Sequence, residues 1–84
     1  MYDHINETVE VLVDFRWPRV QPKLIRWNQR NYPIERIDFV HTAKEGETRM
    51  YYFTVSDIGS ANVFKLQFNT ESLEWRLLEI YTDG

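Results

Sequence analysis

Eighty-four residues with a net charge of −3 and no cysteine leave room for one domain near the lower size limit for independent folding, and they exclude a disulfide framework or a thiolate metal site. Thirteen aromatic residues supply large buried areas per residue, which is how so small a sheet holds together without a metal or cross-link. No apolar run approaches the ~20 residues of a membrane-spanning helix and no basic-then-apolar leader is visible, so the sequence reads as a soluble, unprocessed, cytoplasmic protein with no membrane partner.

Residues 1–6 are expected to form a flexible end. Val9, Val11, Val13 and Phe15 then alternate with Thr8, Glu10, Leu12 and Asp14, the period-two pattern of a half-buried strand. Trp17-Pro18-Arg19 and Gln21-Pro22 break it, because proline cannot donate to a ladder. Parity places Trp17 on the inward face that Val9 to Phe15 begin. The second strand covers residues 23–27, with Ile25 and Trp27 sharing the inner face. Asn28-Gln29 forms a two-residue hairpin whose geometry requires positive φ at both positions, which suits Asn and strains Gln. The third strand, residues 30–42, carries Tyr32, Ile34, Ile37 and Phe39. These share a face only if one residue is inserted near Glu35-Arg36, the signature of a β-bulge.

A charged turn over residues 43–47 leads to a fourth strand, residues 48–56, with Tyr51, Phe53 and Val55 on one side and Met50, Tyr52 and Thr54 on the other. Residues 57–60 read as a loop; a short helical turn is open here, within 57–61, and also within 18–22. The fifth strand, residues 62–68, points Phe64, Leu66 and Phe68 inward. After a turn over residues 69–73, residues 74–81 form the sixth strand, with Trp75, Leu77 and Ile80 again demanding an inserted residue near Leu78-Glu79. Residues 82–84 are a polar end expected to fray. Short connections favour a meander, since parallel crossovers need a dozen or more residues. The fold class is therefore all-β: one domain over residues 1–84, about six antiparallel strands in meander order, forming a bent sheet, roll or small barrel.

Catalysis has little support. The three glycines are too scattered for a phosphate loop, no serine sits in a nucleophile motif, and His4 and His41 lie far apart, so no catalytic residue, metal, cofactor or small-molecule substrate is expected. The charge distribution is more informative. Residues 16–36 hold Arg16, Arg19, Lys23, Arg26, Arg30 and Arg36 against Glu35 alone, a balance of +5, while the remainder carries −8. Arginines interleaved with Trp17, Trp27 and Tyr32 are what sequence-tolerant binding of single strands uses, with guanidinium groups on phosphates and rings on bases. The competing reading places both tryptophans in the core and pairs the arginines with the acidic remainder of the same chain or of a second copy.

Two motifs carry a family resemblance. Pro22-x-x-Ile25-x-Trp27-x-x-Arg30-x-Tyr32-x-Ile34, and Phe64-x-Leu66-x-Phe68-Asn69 followed by Trp75-x-Leu77-x-x-Ile80, resemble a family of small bacterial β domains that occur alone and towards the C-termini of ImuB-like relatives of Y-family DNA polymerases. Gln29, Leu73 and Asn69 depart from the turn residues of that pattern. The resemblance implies no enzymatic activity and no ligand, only a place beside replication or repair proteins. The expected function is thus a non-enzymatic binding domain for single-stranded or distorted nucleic acid, or for a nucleic-acid-bound protein. The alternative is a protein-interaction or homodimer module, with Leu12, Leu24, Met50, Tyr52, Leu78 and either Ile80 or Tyr81 as an outward apolar patch.

Overall fold

In a computed structural model, which describes residues 1–57, 59 and 62–82, six antiparallel strands follow one another around a closed barrel. They are β1 (Tyr2–Arg16), β2 (Arg19–Trp27), β3 (Arg30–Glu45), β4 (Thr48–Asp57), β5 (Val63–Asn69) and β6 (Trp75–Tyr81). Closure comes from β1 pairing with β6 along its first half and with β2 along its second. Tyr2 lies opposite Tyr81, so the first residues belong to the ladder, and the Thr82 amide donates to the Met1 carbonyl at 2.8 Å. The expected features at positions 58, 60, 61, 83 and 84 lie outside the described residues. No helical turn forms over 18–22, where β2 begins at Arg19.

Both inserted residues are present. Ile34 faces Asp57 and Arg36 faces Ser56, leaving Glu35 extra; Leu77 faces Leu66 and Glu79 faces Lys65, leaving Leu78 extra. Tyr32, Ile34 and Ile37 accordingly pack on one core. Phe39 does not. A second bulge on β3 leaves Asp38 extra and turns Phe39 outward, 59% exposed, while Val40 lies opposite Phe53 yet remains 44% exposed. The polar anchor for that bulge is local: Asp38 accepts from the Ser56 hydroxyl at 2.5 Å and from the Arg36 guanidinium.

The core is built mainly by β4, β5 and β6, with Val9 of β1 and Ile25 of β2. Phe53, Val55, Phe64, Leu66, Leu77 and Ile25 are buried, and Phe68 stacks on Trp75 with ring centres 4.6 Å apart. Met50, expected outward, is buried but lies outside this core cluster, and Ile80 is buried within it, so Tyr81 is the exposed member of that pair. The turns behave as their residues demand. Asn28 and Gln29 have φ of 53° and 63°, and Leu73 has φ 65° with its side chain 67% exposed. In the β5–β6 turn the Asn69 side chain accepts from the amides of Glu71 and Ser72 at 2.8 and 3.0 Å, doing for this turn what an Asx cap does.

One junction is incomplete. The ladder between β2 and β3 has only four paired positions, from Trp27 opposite Arg30 to Leu24 opposite Pro33, against ten between β3 and β4. Beyond it, β2 carries a bulge at Lys23 followed by Pro22, and β3 carries Pro33 followed by its bulge at Glu35. Prolines lack the donor a ladder needs and bulges bend each strand away, so the two strands separate.

Candidate nucleic-acid interface

The β1–β2 hairpin brings four of the six basic candidates onto one projecting element. Arg16 and Arg19 are directly opposite each other at its tip; Lys23 is the exposed residue of the β2 bulge; Arg26 is exposed opposite Glu10 and Asn31. From Arg19 to Arg26 the strand spans about 23 Å at the usual rise per residue. Arg16 is tethered to Asp14 at 3.2 Å. Among the described residues no carboxylate lies within ion-pair range of Arg19, Lys23 or Arg26.

The other two candidates stand apart. Arg30 faces Trp27 across the ladder at the Asn28-Gln29 turn, on the opposite side of the strand from Arg26, whose partner is Asn31. Arg36 bonds Asp38, which raises the guanidinium pKa still further and holds the Asp38 carboxyl below its ordinary range, the Ser56 hydroxyl being the larger cause for the acid. A basic group already neutralised by a neighbour contributes little to attracting phosphate.

The two tryptophans divide between the two sequence readings. Trp27 is half-buried against the core, with its ring 6.2 Å from that of Tyr32, and its indole N–H donates to Glu7 Oε1 at 3.1 Å. Trp17, expected inward by parity, is instead 97% exposed. Parity fails because the strand ends at Arg16: Trp17 and Pro18, joined by a cis peptide bond, are the turn itself and point off the end of the barrel. The hairpin tip therefore presents a bare indole flanked by two arginines. Arg16 and Arg19 are where the charge pattern puts them, whereas the ring that parity assigns to the core stands in solvent. The signal for this is Pro18, which cannot donate to a ladder, so that the strand stops at Arg16 and Trp17 falls in the turn.

The outer side of the same hairpin also carries an apolar pair. Leu12 is 64% exposed and lies opposite the half-buried Leu24, whose other neighbour is Pro33. Elsewhere, His4 pairs with Glu79 at 3.0 Å and His41 stacks on Tyr52 at 4.8 Å, and the described residues contain no cluster of three or more groups suited to a metal ion. No helix among the described residues is long and apolar enough to cross a membrane.

No protein-family model, curated protein or solved structure matches the chain.

Proposed function

We propose that this is a non-enzymatic binding domain that contacts single-stranded nucleic acid through the β1–β2 hairpin. The observation that carries the reading is the exposed Trp17 ring between Arg16 and Arg19. An indole without a packing role offers a flat face on which any base stacks, and the arginines beside it meet the flanking phosphates. Lys23 and Arg26 continue the positive path along β2, so the strand would run along the hairpin, not across the barrel. The resemblance to domains attached to polymerase relatives supports the same reading as an analogy. The net charge of −3 does not oppose it, because screening limits repulsion from distant acids to about 10 Å.

Anisotropy with labelled single-stranded DNA and RNA across a salt series tests the proposal. Arg19, Lys23 and Arg26, the hairpin cations without an acidic partner among the described residues, predict a slope of log affinity against log salt of roughly −2, and reversing Arg19 and Arg26 to glutamate should abolish binding. Quenching of Trp17 fluorescence on binding would report stacking directly. Absence of salt-dependent binding at micromolar protein in low salt defeats the reading. A protein-interaction module then takes its place, favoured by the exposed Leu12 beside Leu24 and Pro33.

A further inference from the structure

We propose that the split between β2 and β3 receives an extended segment of a partner protein, in which apolar residues alternate with acidic ones, added as a strand along the free edge of β3. Among the described residues, β3 from residue 35 to 45 pairs only with β4, so the backbone N–H and C=O groups of its other edge have no ladder partners there. Folded proteins blunt such an edge with proline, bulges and charges. β3 has these at Pro33, Glu35, Asp38 and Lys44. Between them, Phe39, Val40, His41, Thr42 and Ala43 form a stretch with neither proline nor formal charge at neutral pH, the length of an ordinary strand.

The split also has a floor. A cleft of about 410 Å³ lies between Pro18, Arg19, Val20 and Gln21 on one side and Ile37, Val40 and Tyr51 on the other. A row of backbone donors and acceptors beside an apolar trough is matched by another strand, whose alternate side chains fill the trough while its main chain completes the ladder. Charge then selects which strand. Arg19 lines the cleft and Lys23 follows on β2, both exposed and, among the described residues, without a carboxylate in ion-pair range, whereas on the facing strand Asp38 is held by Ser56 and Arg36 and Glu35 lies beside Arg36. Outward positions of an incoming strand thus meet net positive charge on the β2 side, which favours Asp or Glu there. A second copy fits less well, because its own free edge mixes Glu35, Asp38 and Glu45 with Arg36 and Lys44 and offers no alternation of acids with apolar residues.

The proposal stands apart from nucleic-acid binding, sharing with it only Arg19 and Lys23, and one experiment separates them. The probe is an end-capped fluorescent peptide, Glu-Val-Glu-Val-Glu-Phe-Glu-Val-Glu, compared with a peptide of the same composition whose apolar residues are gathered in one block. The alternating peptide should bind at least about tenfold more tightly than the blocked one, and N-methylation of alternate backbone nitrogens along one edge should abolish the difference. Val40→Asn, at a partly exposed site, should weaken peptide binding about fivefold or more while leaving binding of a single-stranded DNA 12-mer unchanged. In amide spectra of wild type, the peptide should shift residues 37–43 and leave β5 unmoved. Equal binding of the two peptides would reduce the effect to bare charge attraction and overturn the proposal, as would no binding of either. Sedimentation as a dimer that Val40→Asn dissociates would overturn it in favour of a second copy.

Discussion

The wall formed by β4, β5 and β6 and the junction of β2 with β3 are built from similarly apolar strands, yet one is sealed and the other is split. In the wall, every residue of β5 from Val63 to Asn69 has a partner on β4, and Phe64, Leu66 and Phe68 are buried. At the junction, Val20, Ile37 and Val40 are no less suited to a sheet, but Pro22, Pro33 and the bulges at Lys23 and Glu35 stop the ladder after four positions. Hydrophobic content decides how much core a strand can supply. The placement of proline and of inserted residues decides where a sheet stays open.

Mutations can break that contrast, and the sealed wall should respond most. Phe64→Ala or Leu77→Ala removes a fully buried side chain from the core and should cost about 3–5 kcal/mol in denaturant unfolding, a large share of the stability of a domain this size. Val40→Asn in the split should cost less than about 1 kcal/mol, since the side chain it replaces is partly solvated already. An equal loss at the two sites would mean the split is packed shut in solution. The tryptophans give a second contrast. Trp27→Ala should destabilise by about 2–3 kcal/mol through lost packing on Tyr32 and the core, whereas Trp17→Ala should leave the midpoint unchanged within error.

Smaller effects sharpen the picture at the turns. Gln29→Gly and Leu73→Gly each relieve a left-handed backbone at an exposed side chain, so thermal midpoints should rise by the equivalent of about 0.5–1 kcal/mol. A fall in either would show that the side chain contributes packing worth more than the strain. The smallest effect belongs to the Asp38 bulge. Because the Ser56 hydroxyl and then Arg36 hold its carboxyl below the ordinary value of about 3.9, its contribution to stability is present above that pH and is lost as pH falls through the lowered folded value. Ser56→Ala should therefore flatten the acid limb of a stability profile while barely altering the midpoint at pH 7.

Much of this architecture is legible in the residues. Alternation located all six strands, and broken alternation at Tyr32, Ile34, Ile37 and at Trp75, Leu77, Ile80 located two bulges, because a side-chain period of two leaves no other way to share a face. Asn28-Gln29 disclosed a left-handed two-residue turn, because the short connection calls for positive φ and Asn tolerates it, whereas at Leu73 the only pointer was the glycine that the resemblance expects there. The bulge at Asp38 was not legible, since it depends on a hydrogen bond from Ser56, a residue on another strand. Barrel closure was not legible either, because it rests on the pairing of Tyr2 to Val9 with β6, a contact between opposite ends of the sequence. Of the candidate interface, the basic residues were visible but their grouping was not: whether Arg30 joins Arg26 is decided by strand parity, and whether Arg36 is free is decided by Asp38.

The pairing of β1 with β6 also sets the order in which the molecule can form. β6 contributes Trp75, Leu77 and Ile80 to the core and comes last of the six strands in chain order, while β1, its partner, comes first. Until residue 81 has emerged, the nascent chain carries one β5 edge and one β1 edge with nothing to pair them, and Phe64, Leu66 and Phe68 face water. Such a domain must wait for β6 and then close in one cooperative step, so folding should be slow for its length and open to aggregation until that strand is available.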